Sequence, residues 1–261
     1  MLPPDAVGYF NTLMAGKFLA TQSKDGKVNV VFIATMKAHD DRTLIFGNMM
    51  LRKSHGNLED DDKVSACVVT ENLKSYEVKG KFKGFERSGK YFDEISNIPV
   101  IRYIAYGALR SVGIIEVEDI SIPLKRPVLG LVSGIATTRL LSKKSLPAGK
   151  MPPTVVEKFE RLKAIKVIAA KEDGYPRIAP VLCMRAVDPN TLIFSCASSP
   201  NLFYLKAGQY VTSSVLTMDA ISYQVKGIFE GFKKSGLGKI GKISVEEVYA
   251  SSPPRPGERI A

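Results

Sequence analysis

The chain has 261 residues and a net charge of +11, and 45% of its residues are hydrophobic. This length corresponds to about two typical domains, and the hydrophobic share is that of an ordinary globular protein. No apolar run reaches the roughly 20 residues that a membrane-spanning helix needs. The first residues lack the basic start and apolar stretch of a signal peptide. We therefore expect a cytoplasmic protein with no membrane partner.

The excess of basic residues raises the question of nucleic-acid binding. The lysines and arginines are scattered or alternate with apolar residues, without the aromatic–basic interleaving of single-strand binders. A solvated surface or attraction of an anionic ligand explains the charge better, so we expect no nucleic-acid partner. Three distant cysteines, Cys67, Cys183 and Cys196, and two isolated histidines predict neither a disulfide nor a metal site.

The sequence contains an internal repeat. Residues 75–85 recur at 222–232 with eight of eleven positions identical, and the Thr-Leu-Ile-Phe of 43–46 recurs at 191–194. An Asp-Gly turn also recurs, in the same order along the chain. Such self-similarity at a fixed offset indicates that one structural unit has been duplicated.

The duplication predicts the domain organisation. The first domain is expected at 1–122 and the second at 155–261. The connector at 123–154 is rich in Pro, Gly, Ser and Lys, as connecting segments are. Its middle is apolar enough to predict an ordered segment with one helix.

Taken in chain order, the patterns predict helices and short strands. The almost continuous apolar run at 28–36 is typical of a buried strand. Residues 76–85 alternate with a period of two, and Gly80 and Gly84 on the inner side indicate a sharp bend or a close backbone approach. Short antiparallel strands with few helices indicate a mainly β protein with a small β-barrel in each half. The predicted elements are a helix within 3–15, strands at 18–21, 28–36 and 43–47, a helix at 54–61, strands at 64–70 and 76–85, a helix over 93–108, and strands at 112–120 and 243–249.

One loop carries the residues most typical of ligand chemistry. A strand ending near Gly47 runs through a short loop into Arg52, Lys53 and Ser54 at the start of a helix. Basic side chains, free helix N–H groups and a hydroxyl together make an anion site. A solvated helix start with a serine cap is the alternative. On these residues alone, both interpretations stand.

This stretch resembles the signature of the pyridoxamine 5′-phosphate oxidase-like FMN-binding split-barrel family. In that family a strand ends in an aromatic residue, a small residue and Asn, followed by a Ser/Arg-Lys loop, a helix with Asn-Leu, an acidic turn and a Val-rich strand. The chain has these features in order at 46–48, 52–54, 57–58, 59–62 and 64–69. The resemblance extends from about residue 16 to 89 and, more weakly, through the second half. It implies two tandem FMN-binding split barrels that form an intramolecular pseudo-dimer.

The resemblance also implies which residues would contact FMN. The strand at 31–36 would line the isoalloxazine ring through backbone groups, residues at 46–48 would lie beside the ring and ribityl chain, and residues at 52–54 would hold the phosphate. Ser75 matches a position where family members place a polar residue from the partner barrel. The implied cofactor-binding residues are Val31, Phe32, Ile33, Ala34, Thr35, Met36, Phe46, Gly47, Asn48, Arg52, Lys53, Ser54 and Ser75, with Ser222 and Tyr223 from the second half.

The chain departs from the family pattern at three places. Val31 stands where members often have an Arg that also reaches the phosphate. The tail at 251–261 contains no His, so the substrate clamp of pyridoxal-specific members is missing and the chain is not expected to be a genuine pyridoxamine 5′-phosphate oxidase. In the second half, residues 198–202 replace the basic loop. We therefore expect one flavin per chain, with its phosphate in the first half.

These observations predict an FMN-dependent oxidoreductase that passes electrons between a reductant and a small-molecule acceptor, with no identifiable catalytic residue. The alternative is a non-catalytic carrier of flavin, deazaflavin or haem. Haem would need an axial ligand, and the only histidines are His55 and His39, which is expected to be exposed at a polar turn. The expected partner is a small-molecule substrate or electron donor, and the pseudo-dimer either stays a monomer or pairs again as a homodimer.

Overall fold

The computed structural model describes most of the chain, and the predicted connector lies largely outside the described residues. The chain divides into two compact units. Unit 1 comprises Met1–Ile122 with Asp173–Arg177, and unit 2 comprises Pro123–Glu172 with Ile178–Ala261. The described residues are 1–99, 101, 108–124, 132, 134–136, 138, 148–197, 199, 202, 204–235, 238–252 and 255–261.

Unit 1 is built on one antiparallel sheet of seven strands, in the order β2-β1-β5-β6-β7-β4-β3. Strand β2 therefore lies at one edge of the sheet and β3 at the other. The elements are α1 (Pro4–Asn11), β1 (Gly16–Gln22), β2 (Val28–Phe32), β3 (Lys37–Ala38), β4 (Thr43–Asn48), α2 (Lys53–Asp60), β5 (Lys63–Val69), β6 (Ser75–Glu86), α3 (Lys90–Ser96) and β7 (Ser111–Ser121).

Unit 2 repeats this arrangement. Its sheet has the order β9-β8-β12-β13-β14-β11-β10, which is the order of unit 1 strand for strand. The prediction of a mainly β protein with two copies of one small barrel is therefore confirmed. The elements of this second copy are α4 (Pro153–Glu160), β8 (Ile165–Glu172), β9 (Tyr175–Pro180, of which the first three residues belong to unit 1), β10 (Met184–Asp188), β11 (Thr191–Ser195), β12 (Tyr210–Leu216), β13 (Ser222–Ser235) and β14 (Gly238–Ala250).

The repeated strands β6 and β13 need glycine at the predicted positions. A Cβ on Gly80 would lie 2.4 Å from the Glu116 carbonyl oxygen, and one on Gly227 would lie 1.9 Å from the Ser244 carbonyl oxygen. Gly84 has a φ of 126° where β6 is bulged against β7. The predicted close approach and bend are both present, which explains why each copy carries these glycines.

The strand predicted for 28–36 is shorter than expected. It ends at Phe32, and the next residues turn, with the Met36 N–H donating to the Ile33 carbonyl oxygen at 3.2 Å. The apolar pattern continued past the strand because Ile33 and Met36 are also buried, in the core of unit 1. A buried turn and a buried strand have the same apolar composition.

The helix predicted over 93–108 is also displaced. Helix α3 begins at Lys90, directly after Gly89 with a φ of 98°, and ends at Ser96. Residues 100 and 102–107 lie outside the described part. None of the described helices has the length and apolar character that crossing a membrane requires.

Candidate functional site

The start of α2 places two basic side chains at the surface. Arg52 and Lys53 are exposed, and the first turn closes with the Gly56 N–H donating to the Arg52 carbonyl oxygen at 3.3 Å. No side chain of the capping residue bonds to the amides at this end of the helix. The amides at a helix N-terminus carry the positive end of the helix dipole. Together with a guanidinium and an ammonium group they can bind a phosphate.

Ser54 does not cap the helix, so the serine cap of the alternative interpretation is absent. Its side chain is buried, and its Oγ accepts a hydrogen bond from Asn29 Nδ2 at 2.9 Å. Thr21 Oγ1 lies 3.4 Å from Ser54 Oγ and accepts from Asn57 Nδ2 at 3.0 Å. This network fastens α2 to β1 and β2. The role of Ser54 in phosphate binding stays a prediction.

Sequence reasoning missed Thr21, Asn29 and Asn57 as partners of this loop. Thr21 and Asn29 are polar residues buried within the apolar strands β1 and β2. Buried polar side chains are normally hydrogen-bonded. A polar residue at an inward strand position was therefore the available signal.

The structure brings the predicted ring-lining segment to β4. The Gly47 N–H donates to Thr35 Oγ1 at 3.0 Å, which joins the turn after β2 to the end of β4. A Cβ on Gly47 would lie 3.0 Å from Leu109 Cδ1 and 3.2 Å from Ile95 Cγ2, so side chains cover that position. In the ring-lining segment, Val31, Phe32 and Ala34 are half-buried, and Ile33, Thr35 and Met36 are buried.

Phe46 and Asn48 have different environments. The Phe46 ring lies fully buried in the core of unit 1, so only its backbone is left for a ligand. Asn48 is also buried; its Nδ2 donates to Ser111 Oγ at 3.1 Å, but its Oδ1 has no partner among the described residues. A buried acceptor without a donor costs free energy, and a donor on a bound ligand would remove that cost.

Ser75 and Ser222 occupy the same position in the two units. Each begins the long repeated strand, each is buried, and neither hydroxyl has a hydrogen-bond partner within the described parts of the chain. Tyr223 is partly buried and packs against the core of unit 2. The predicted contacts of these three residues with flavin stay predictions.

Unit 1 contains an open pocket of about 550 Å³ that Ala34 and Met36 line together with residues of α1, β1, β3 and α3. Ligand pockets typically measure about 300–1,000 Å³. Lys17 lies at this pocket, whereas Thr21 contacts Ser54 at the start of α2. Lys17 and Thr21 are four residue steps apart along β1, so the pocket and the start of α2 are about 13 Å apart at roughly 3.3 Å per residue.

Both histidines have partners. His55 stacks on Phe85 with ring centroids 4.7 Å apart, and its Nδ1 lies 3.6 Å from Glu59. His39 Nδ1 lies 2.5 Å from Glu94 Oε2, so the expectation that His39 is an exposed turn residue is wrong. The described residues contain no group of three His, Cys, Asp or Glu side chains placed to hold a metal ion. The three cysteines are buried and form no disulfide.

Comparison of the sequence with protein-family models and with curated proteins finds no match. Solved structures similar to the chain include HupZ from Group A Streptococcus, at 24% identity over 47% of this chain and 94% of that chain with a TM-score of 0.41. An FMN-binding protein from Syntrophomonas wolfei matches at 20% identity over 44% of this chain and 84% of that chain, with a TM-score of 0.38. HutZ, the heme storage protein from Vibrio cholerae, matches at 13% identity over 46% and 94%, with a TM-score of 0.34. Two sheets of one strand order are the tandem barrel repeat that the split-barrel resemblance implies.

Proposed function

We propose that unit 1 binds a flavin, with FMN as the cofactor and its phosphate at the start of α2. The observation that carries this proposal is the exposed pair Arg52 and Lys53 at a helix start without a side-chain cap. Guanidinium binds phosphate through two parallel hydrogen bonds, ammonium adds a point charge, and the helix amides add further donors.

The edge position of β2 supports the predicted place of the flavin ring. Strand β2 pairs with β1 and is the last strand in the order of its sheet, and an edge strand can pair its backbone N–H and C=O groups with a ligand. The edge of an isoalloxazine ring carries both donors and acceptors, which such a strand can match. The half-buried Phe32 and Ala34 lie along this edge and at the turn that follows it.

We infer that unit 1 is an oxidoreductase centre. The flavin, when bound, supplies the electron-transfer chemistry. The chain holds the phosphate with Arg52 and Lys53 and orients the ring along β2. The pocket beside Ala34 and Met36 leaves room for a small electron donor or acceptor. A deazaflavin with a phosphorylated tail would meet the same basic pair, and a carrier of flavin would bind in the same way without turnover.

The double variant Arg52→Ala, Lys53→Ala tests the phosphate site. Hydrogen bonds to charged groups are worth about 1.5–3 kcal/mol each, so losing two should weaken FMN binding by at least about 100-fold, measured by fluorescence titration. Riboflavin, which lacks the phosphate, should bind wild type and variant equally. The matched control is Lys233→Ala, Lys234→Ala, which removes two adjacent exposed lysines from β13.

FMN affinity that falls equally in both double variants would mean that net charge alone attracts the cofactor. Unchanged FMN affinity in the Arg52, Lys53 variant would contradict the phosphate assignment. Anaerobic reduction of the bound flavin by NADH or NADPH, followed in the visible spectrum, separates an oxidoreductase from a carrier.

A further inference from the structure

The pocket of unit 1 contains a buried lysine. Lys17 is only 3% exposed, and its Nζ donates to the Met36 carbonyl oxygen at 2.9 Å and lies 3.4 Å from that of Ala34. Among the described residues, no carboxylate forms an ion pair with it. Burial, together with repulsion from Lys37, lowers the pKa of Lys17 to about 8. Lysines this deeply buried are normally paired with an anion.

The other charged groups around the pocket compensate one another. Lys37 Nζ lies 2.6 Å from Glu94 Oε1, and His39 binds the second oxygen of the same carboxylate. Burial raises the pKa of Glu94, but the hydrogen bonds from Lys37 and His39 outweigh it and hold the pKa below its usual value. Glu94 is therefore already paired with Lys37 and His39, and the charge of Lys17 gives the pocket a net positive charge.

Unit 2 has a lysine at the same place. Lys17 lies opposite Val68 in the pairing of β1 with β5, and Lys166 lies opposite Val215 in the pairing of β8 with β12. Lys166 is equally buried, and its Nζ donates to the Arg161 carbonyl oxygen at 2.6 Å. Burial lowers the pKa of Lys166 to about 8, against the opposing effects of Cys183 and, after it, Glu160. The two lysines thus share a strand position and an apolar environment.

The two units differ at the end of the helix that precedes the lysine strand. Helices α1 and α4 correspond, so that Asn11 ends α1 where Glu160 ends α4. Glu160 forms an ion pair with Arg185, with Arg185 Nε 3.2 Å from Glu160 Oε1. In unit 1, Asn11 Oδ1 accepts from the Ala38 N–H at 3.1 Å, which leaves its amide NH₂ as a donor. Unit 1 therefore has an uncharged donor where unit 2 has a carboxylate.

The pockets also differ in size. In unit 2 the cavity beside Lys166 has a volume of only about 10 Å³, and the residues that line it include Ile135 and Thr138. In unit 1 about 550 Å³ is open, with an apolar wall formed by Leu13, Met36 and Ile98. Unit 2 thus fills this place from its own chain, whereas the described residues of unit 1 leave the pocket open.

We propose that the unit 1 pocket binds a small organic carboxylate, whose carboxylate group is held by the buried ammonium group of Lys17 and by Asn11, the residue that corresponds in position to Glu160 of unit 2. The apolar wall contacts the body of the ligand. A monoanionic carboxylate matches a single buried ammonium group. This site goes beyond flavin binding and does not require it.

The test uses benzoate as the probe and benzamide as its uncharged analogue, on the full chain with and without FMN. The Cε resonance of Lys17, labelled with ¹³C and assigned with Lys17→Arg, reports its titration. Benzoate should raise the pKa of Lys17 saturably, and benzamide should not. Benzoate affinity should be highest below pH 8 and fall as the pH rises through about 8, because the ammonium group is then lost.

Asn11→Glu introduces the carboxylate of unit 2 and should abolish benzoate binding while leaving FMN binding unchanged. The reverse exchange in unit 2, Glu160→Gln, should leave benzoate binding unchanged. Equal binding of benzoate and benzamide, no benzoate-dependent shift of the Lys17 resonance, or full benzoate affinity in Asn11→Glu would each overturn the proposal. FMN binding is measured separately, so the benzoate results can be interpreted even when the flavin proposal fails.

Discussion

At the scale of single residues, the start of α2 combines an exposed cationic pair with a buried polar network. Arg52 and Lys53 are exposed, whereas Ser54 is buried against Asn29 and Thr21. A serine serves equally as a cap, a ligand or a link between elements, so its residue type alone did not predict this burial.

Ser54→Ala should destabilise unit 1. The substitution leaves Asn29 Nδ2 and the Thr21 hydroxyl without their buried partner, which costs about 1–3 kcal/mol. Urea unfolding measures the change. Ser88→Ala is the control, since Ser88 is exposed and such changes usually stay within about 0.5 kcal/mol. Equal effects of the two substitutions would contradict a structural role for the Ser54 network.

Lys17 should make stability depend on pH. Its folded-state pKa of about 8 lies below the value of 10.5 for a free lysine. Between pH 8 and 10.5 the unfolded chain therefore binds more protons at this group, and the contribution of Lys17 to stability rises with pH. The loss of stability in Lys17→Met should consequently be larger at pH 9.5 than at pH 7.5 in urea unfolding. A loss that is the same at both pH values would show that the ammonium group is not desolvated in the folded protein.

At the scale of elements, the period-two pattern of β6 predicted its position well, whereas the continuous apolar run at 28–36 did not locate the end of β2. Alternation defines a strand because it follows the pleat, but a fully buried segment is apolar in a strand and in a turn alike. The inward glycines of β6 were informative because each interrupts an otherwise apolar face.

Gly80→Ala should be strongly destabilising, because its Cβ would lie 2.4 Å from a backbone oxygen and β6 or β7 would have to move. Gly8→Ala is the matched control. Gly8 lies inside α1 with nothing within 4 Å of an added Cβ, so alanine there should stabilise the helix by about 0.5–1 kcal/mol. Thermal unfolding of the two variants should therefore shift in opposite directions, and a shift in the same direction would contradict the close approach of the strands.

At the scale of the whole molecule, the repeat predicted two units, and the two sheets have one strand order. The cores repeat as well, although the sequence outside the longest repeated strand is hard to align. What the repeat could not reveal is the difference between the two pockets. That difference depends on Asn11 standing at the helix position that Glu160 has in the other copy, and on the space left around two equivalent lysines. The aromatic rings that correspond are Phe46, Phe82 and Phe85 in unit 1 and Phe194, Phe229 and Phe232 in unit 2.

We propose a single phosphate-holding flavin site, in unit 1. The stoichiometry of FMN tests this, measured by calorimetric titration of protein from which any bound cofactor has been removed. We expect one FMN per chain, because the basic pair at the start of α2 occurs in unit 1 alone in the sequence. Two equivalent sites would contradict the assignment of the phosphate to Arg52 and Lys53, and no binding at all would contradict the flavin itself.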